Sequence, residues 1–194
     1  ICAHRCQNKC SRNFYDESVH IRDTKLVAAE HGYGALMASL KPTAKLPGKK
    51  AAIIGGGPTG IAAAYFLARG GVETTIFERE AKLGGVPRYV IPAFRISDEA
   101  LDKDVALMER LGVEVKCGAP APSVEALKKM GYTHILMATG AWQAGELGIP
   151  GNVKGVIGWM KEMKQQVKPC LEGHVVVVGA GNTAMDAARV AKRM

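Results

Sequence analysis

A turn built on Gly55, Gly57 and Gly60 constrains this chain more than anything else in it. The turn follows an apolar run, Ala51-Ala52-Ile53-Ile54. It leads into Ile61, Ala62, Ala64, Tyr65, Leu67 and Ala68, which keep helical spacing as far as Gly70-Gly71. Strand, glycine turn and helix in that order fit the G-x-G-x-x-G pattern of a dinucleotide-binding turn. The first glycine turns the chain sharply off the strand. The second lets backbone close on a pyrophosphate, where any Cβ would collide, and the third lets helix and strand pack tightly. Pro58 has its φ preset for a first helical turn. The free N–H groups and the positive end of the helix dipole would face the phosphates.

One such turn is weak evidence, because glycine turns are common. Here a second strand, Thr74-Thr75-Ile76-Phe77, ends on Glu78. Glu78 stands about 20 residues beyond Gly57, where a carboxylate accepts hydrogen bonds from ribose hydroxyls; a charge on a surface loop is the alternative. The pattern then recurs. His174 to Val178 is rich in β-branched residues and reads as a strand. Gly179-Ala180-Gly181-Asn182-Thr183-Ala184 fits G-x-G-x-x-A, and Met185, Ala188, Val190 and Ala191 continue as a helix. Two such turns in one chain point to a protein that brings two dinucleotides together.

The stretch between them alternates helix and strand. Leu83-Gly84-Gly85 suggests backbone passing close to a ligand. Ser97 is a candidate N-cap, Leu101, Val105, Met108 and Leu111 form one apolar face, and Gly112 closes that helix. Val113 to Cys117 reads as a strand with Cys117 in the core. Ser123 to Met130 reads as a short helix, and His134 to Ala138 as a buried strand ending at Thr139-Gly140. Loops at the carboxyl ends of parallel strands hold ligands in such sheets. Residues 157–167 read as a helix broken by Pro169, with Cys170 incidental. The expected class is α/β: a Rossmann-like, three-layer domain on a parallel sheet, the start of a second Rossmann-like domain, and the end of a helical cysteine-rich domain ahead of both. The expected boundaries are 1–34 for the cysteine-rich end, 35–50 for a Pro- and Lys-rich linker, 51–145 for the first nucleotide domain, 146–173 for a connector and 174–194 for the second.

Of the five cysteines, three form C-x3-C-x3-C at Cys2, Cys6 and Cys10. Closely spaced thiolates select iron–sulfur clusters or zinc, and zinc sites more often show paired C-x2-C spacing. Three ligands are one short of a cubane's four, with the fourth expected upstream of Ile1. His4 reads as a surface histidine. Residues 18–31 read as a helix ended by Gly32 and Gly34. The chain begins on Ile1 and stops at Met194 inside a helical pattern, so it reads as a stretch of a longer protein. No run of about 18 apolar residues could span a membrane, and no signal peptide is visible. The cysteine usage fits a reducing, cytoplasmic setting. The formal charge of +8 comes from basic residues spread along the chain without interleaved aromatics. That argues against nucleic acid and for phosphate-bearing cofactors or an acidic redox partner, with solvated lysines as the plain alternative.

GGGPTG, FERE with LGG, IPAFR, LMATG and GAGNTAMD occur in the order found in the small subunit of glutamate synthase and in the amino-terminal half of dihydropyrimidine dehydrogenase. The chain resembles that family over nearly its whole length. Its amino terminus, ICAHRCQNKC and YDESVHIRDTKLVAAE, is most similar to the family's flavoprotein ascribed to selenate reduction. The resemblance implies an electron-input module, in which NAD(P)H, as NADP or NAD, delivers hydride to FAD. Electrons then leave through [4Fe–4S] clusters to an electron-accepting subunit or domain. It implies that Gly55, Gly57, Pro58, Thr59 and Gly60 meet the FAD pyrophosphate and that Glu78 and Arg79 bind its adenosine end. Gly85 and Arg95 would line the flavin side, with Thr139 and Gly140 near the phosphates. Gly179, Gly181, Asn182 and Thr183 would face the nicotinamide nucleotide, and Cys2, Cys6 and Cys10 would be the last cluster ligands. Lys25 departs from the family, some members of which have Glu or Gln there. No side chain is read as a catalytic acid, base or nucleophile, because the cofactors carry the chemistry.

Two other functions fit these residues less well. A flavin disulfide reductase needs a redox cysteine pair beside the flavin, and Cys117 is the lone cysteine between Gly60 and Thr139. A non-catalytic dinucleotide-binding or scaffold subunit has no need of cluster cysteines.

Overall fold

The computed structural model describes residues 2, 4–143, 145, 147–165 and 171–194. The expectations for Pro169 and Cys170 lie outside these. The chain divides into two compact units, Ile1–Lys41 and Pro42–Met194.

In the first unit, α1 (Arg5–Asn8) and a 3-10 turn (Ser11–Phe14) precede α2 (Ile21–Ser39). The expected stop at Gly32 and Gly34 does not occur. A glycine inside a helix costs about 1 kcal/mol against alanine, and α2 runs on through Ala35, Leu36, Met37 and Ala38, which are good helix formers. Neither glycine has an atom within 4 Å of where a Cβ would stand, so no packing demands them. None of the residues of α2 is buried.

The second unit is a four-stranded parallel sheet in the order β3-β2-β1-β4. Chain order runs β1 (Lys50–Ile54), α3 (Pro58–Arg69), β2 (Glu73–Glu78), α4 (Gly85–Tyr89), α5 (Asp98–Glu109), β3 (Glu114–Cys117), α6 (Val124–Lys129), β4 (His134–Met137), α7 (Val156–Gln165) and α8 (Asn182–Lys192). In-register pairs Ala52↔Thr75, Ile53↔Ile76 and Ile54↔Phe77 set two faces that alternate residue by residue. Ile53 and Ile76 are wholly buried, and Ile53 Cγ2 lies 3.4 Å from where a Cβ on Gly60 of α3 would stand. Ala52, Ile54 and Phe77 look the other way, toward Leu127 of α6 and Tyr132. The Tyr132 hydroxyl donates to Thr75 Oγ1 at 2.9 Å and Thr75 Oγ1 donates to Glu114 Oε2 at 2.9 Å, so the buried Thr75 hydroxyl on that face is satisfied. The helices thus stand on both sides of the sheet, which is the expected three-layer α/β arrangement. Burying each of Ile53 and Ile76 contributes about 1.5–3 kcal/mol.

Capping follows the sequence. Ser97 accepts from Ala100 N at 3.3 Å ahead of α5, and Ser123 accepts from Ala126 N at 3.2 Å ahead of α6. Both helices place acids in the first turn, where the dipole favours them.

Three expectations are corrected here. Cys117 is exposed, not core, because it is the last residue of β3, an edge strand of the sheet. The run His134 to Ala138 is not buried either. β4 is the opposite edge, and Met137 is 62% exposed. Residues 174–178 form no strand: among the described residues nothing pairs with them, and Val176 is 84% exposed. A β-branched run becomes a strand only where a neighbour receives its backbone hydrogen bonds.

Candidate functional site

The carboxyl ends of β2, β1 and β4 converge on one glycine turn. Gly55 N donates to Phe77 O at 2.8 Å and Ala138 N to Ile54 O at 2.8 Å, which carries the ladder to the rim. Gly55 has φ +107°, and a Cβ there would lie 2.4 Å from Ala138 O. The turn is therefore wedged against the end of β4, and Thr139 and Gly140 come up beside it. Gly60 serves the other contact, since its Cβ would lie 2.0 Å from Gly55 O. Both glycines are demanded by packing.

Gly57 is different. It is the N-cap of α3, its φ of −77° is open to any residue, and a Cβ would find its nearest neighbour, Gly85 Cα, at an ordinary 3.8 Å. The space above it is free. No side chain caps α3 and Pro58 supplies no N–H, while Ile61 N closes the first helical bond to Gly57 O at 2.9 Å. The first-turn donors of Thr59 and Gly60 are left to an incoming acceptor. A helix end of this kind is a ready anion site.

Glu78, last residue of β2, is 7% exposed. Its Oε2 accepts from Gly56 N at 2.6 Å and its Oε1 from Glu80 N at 2.9 Å. The carboxylate thus holds the glycine turn by its middle residue. A Cβ on Gly56 would lie 2.2 Å from Leu83 Cδ2 and 3.1 Å from Glu78 Oε2, so a side chain there needs Leu83 to move aside.

The Leu83-Gly84-Gly85 segment closes the other flank. Gly84 N donates to Gly56 O at 2.7 Å, and Gly84 and Gly85 both take positive φ. A Cβ on Gly85 would lie 2.8 Å from Gly57 Cα, so backbone lies against backbone. Arg88 fixes this segment from behind. It is 4% exposed, its Nε donates to Leu83 O, and its Nη2 donates to Asp102 of α5. Its Nη1 lies 3.3 Å from Asp98 Oδ2 but makes no hydrogen bond. Sequence reasoning missed Arg88. Its signal was a lone cation in an otherwise uncharged stretch, Leu83 to Phe94.

Arg79 projects outward. Its Nε lies 3.6 Å from Glu80 and its guanidinium 5.2 Å from the Trp142 ring, whose other neighbour is Lys161 at 5.5 Å. Lys161 also donates to Glu80 Oε1 at 2.6 Å, tying α7 to the end of β2. Trp142 went unremarked in the sequence and lies directly past Gly140. Arg95, read as facing the flavin, donates from Nη1 to Asp186 Oδ1 at 2.7 Å.

The second glycine turn is open. Gly179 has φ +135°, Gly181 is the N-cap of α8 without a side-chain cap, and Asn182 and Thr183 are exposed. In the amino-terminal unit, Cys2 and Cys6 are exposed and Cys10 half-buried, all as free thiols. The Cys10 thiol is held below its usual range by the N–H groups of Val19 and Arg12, whereas burial pushes the Cys117 thiol up. Among the described residues no three His, Cys, Asp or Glu side chains gather as a metal ligand set. No helix among the described residues is long and apolar enough to cross a membrane.

Residues 49–194 match the family described as pyridine nucleotide-disulphide oxidoreductase. The chain belongs to that family. Similar proteins include YgfK of Escherichia coli (strain K12), 41% identical over 199 residues covering 100% of this chain and 19% of that protein. The NADPH-Fe(3+) oxidoreductase subunit beta of Geobacter sulfurreducens (strain DL-1 / KN400) is 33% identical over 206 residues, covering 100% of this chain and 30% of its own length. The glutamate synthase [NADPH] small chain of Mycobacterium tuberculosis (strain CDC 1551 / Oshkosh) is 30% identical over 206 residues, covering 96% of this chain and 42% of its own. The chain thus spans less than half of each of these relatives. They agree with the glutamate synthase small-subunit-like resemblance. Within the matched span the sequence carries two cysteines, Cys117 and Cys170, far apart along the chain.

Proposed function

We propose that this chain is the nucleotide-binding part of an electron-input flavoprotein, with FAD on the first glycine turn and NAD(P)H on the second. The observation that carries the reading is the contrast within the first turn. Gly55 and Gly60 are required by the protein's own packing against backbone, while at Gly57 a Cβ would make only an ordinary 3.8 Å contact, beside an uncapped helix end. A pyrophosphate fits that space: anion, N–H donors and absent Cβ match. The Glu78 carboxylate, fixed by two backbone donors, supplies the acceptor for ribose hydroxyls at the adjacent strand end. Gly85 and Thr139 lie against the same turn, and Arg79 and Gly140 are the residues that follow Glu78 and Thr139 in the chain.

When bound, NAD(P)H gives up a hydride that FAD accepts, and the protein's share is binding and orientation. Gly179, Gly181, Asn182 and Thr183 would hold the nicotinamide nucleotide, the open α8 terminus taking its phosphates. Cys2, Cys6 and Cys10 would serve a [4Fe–4S] cluster in the intact protein, passing electrons to a partner subunit or domain. That all three are free thiols, exposed at Cys2 and Cys6, supports that role, although among the described residues they do not gather as a ligand set. The subunit names of the Geobacter and Mycobacterium relatives support a partner.

The test is the visible spectrum of the intact protein, purified anaerobically, before and after NADPH. A flavin spectrum that bleaches on addition is expected. A colourless protein, or a flavin that NADPH leaves oxidised, would refute the proposal.

A further inference from the structure

The two glycine turns are mechanically joined, and the joint is built from side chains that neither turn needs for itself. Asp186 lies on the buried face of α8, one turn beyond Asn182, beside Ala187 and Val190. Its side chain is 9% exposed. A carboxylate that deep on an apolar helix face is costly to desolvate unless paired. Its partner is Arg95, at 2.7 Å, from the Ile91-to-Arg95 segment that follows α4. The neighbouring Phe94 ring takes the guanidinium of Arg193 at 3.8 Å and that of Arg189 at 4.9 Å, both from α8. Val90, just ahead of that segment, packs with Met160, Met163, Ala187 and Val190. The contacts from α8 thus fall on Val90, Phe94 and Arg95, on the stretch that follows α4, and α4 begins at Gly85, which itself lies against Gly57.

Apolar packing alone lets a helix slide or rotate by small amounts at little cost. An ion pair with one buried member resists this, since the Arg95 side chain is 28% exposed but moving α8 away from it strands the desolvated Asp186 carboxylate. The pair therefore specifies orientation more than it adds stability.

We propose that Arg95 and Asp186 are positioning residues for hydride transfer: their ion pair fixes the bearing of the α8 turn, and any nucleotide on it, relative to the first turn. The inference rests on the FAD and NAD(P)H reading above. Hydride transfer needs donor and acceptor near contact, and a misplacement of about 1 Å costs on the order of 100-fold in rate. Neither residue needs to touch a cofactor for this.

The experiment uses the intact flavoprotein with Arg95→Gln, Asp186→Asn and the exchanged pair Arg95→Asp with Asp186→Arg. Anaerobic stopped-flow measures flavin reduction at saturating NADPH, alongside FAD content and the NADPH dissociation constant. Each single variant should keep its FAD and its NADPH affinity within about threefold, while the reduction rate falls about 10- to 100-fold. The exchanged pair should recover part of that loss. Hydrogen exchange should show residues 182–192 less protected in the single variants and residues 50–78 unchanged. Unchanged reduction rates in both single variants would overturn the proposal. So would loss of FAD or of NADPH affinity as the main effect, which would mark a structural or direct binding role. If the unaltered protein's flavin is not reduced by NADPH, the underlying functional reading fails, and this inference with it.

Discussion

Glu78→Gln isolates the carboxylate that holds the first glycine turn. In the parent, each carboxylate oxygen receives a backbone N–H, from Gly56 at 2.6 Å and from Glu80 at 2.9 Å, in a position 7% exposed. The amide matches the shape but offers one accepting oxygen. Whichever way it turns, one N–H faces an NH2 group and loses its acceptor. A hydrogen bond to a charged group contributes about 1.5–3 kcal/mol net, and an orphaned buried donor costs a similar amount. For a folding unit of this size, each kcal/mol moves the melting temperature about 2–4 °C, so a fall of about 3–12 °C is expected. The assay is thermal unfolding of the flavin-free 194-residue chain, which removes any contribution from ligand. A variant melting within about 1 °C of the parent would refute the reasoning, since even the low end of the range predicts more. Retention of stoichiometric flavin by the same variant in the intact protein would separately refute the ribose role.

The other glycines predict a split. Gly60→Ala should destabilise the chain by about 3 kcal/mol or more, because its Cβ would stand 2.0 Å from Gly55 O; Gly57→Ala should melt almost as the parent does, while Gly57→Val abolishes FAD retention in the intact protein. Cys6→Ser should lower the iron and sulfide of the anaerobic intact protein without loss of FAD, and unchanged iron would sink the ligand assignment. In the chain alone at neutral pH, iodoacetamide should modify Cys10 ahead of Cys117, because thiolate is the nucleophile and the two thiols are shifted in opposite directions; peptide mapping decides it. Equilibrium dialysis of residues 1–194 should find little FAD, and micromolar or tighter binding would show that this stretch holds flavin unaided.

The strand-turn-helix of 50–69 was legible in the sequence because each of its signals is local: an apolar run, glycines at fixed spacing, Pro58 at the first helical position. The caps at Ser97 and Ser123 were legible for the same reason. What failed depended on neighbours in space. His134 to Ala138 and His174 to Val178 carry strand composition, yet one is an exposed edge and the other pairs with nothing described. Spacing cannot tell a covered strand from a bare one. Cys117 was misplaced by the same error at the other edge. Gly32 and Gly34 looked like helix stops, but their cost is small beside the helix formers that follow. Arg88 and Asp186 were invisible because their importance lies in partners 14 and 91 residues away.

The backbone contact between Gly57 and Gly85 is lopsided. A methyl group on Gly85 would press into Gly57 Cα at 2.8 Å from a φ of +56°, whereas one on Gly57 would meet Gly85 Cα at 3.8 Å with ordinary backbone angles. The two positions therefore answer to different selections. In a mutant library screened for folded, soluble protein, position 85 should stay glycine while position 57 drifts to alanine and serine. Screened instead for flavin retention, both should stay glycine. The first residue records the demands of the fold and the second the demands of the ligand, so the ratio of substitutions at 57 to those at 85 reads out which of the two a given lineage or library has been held to.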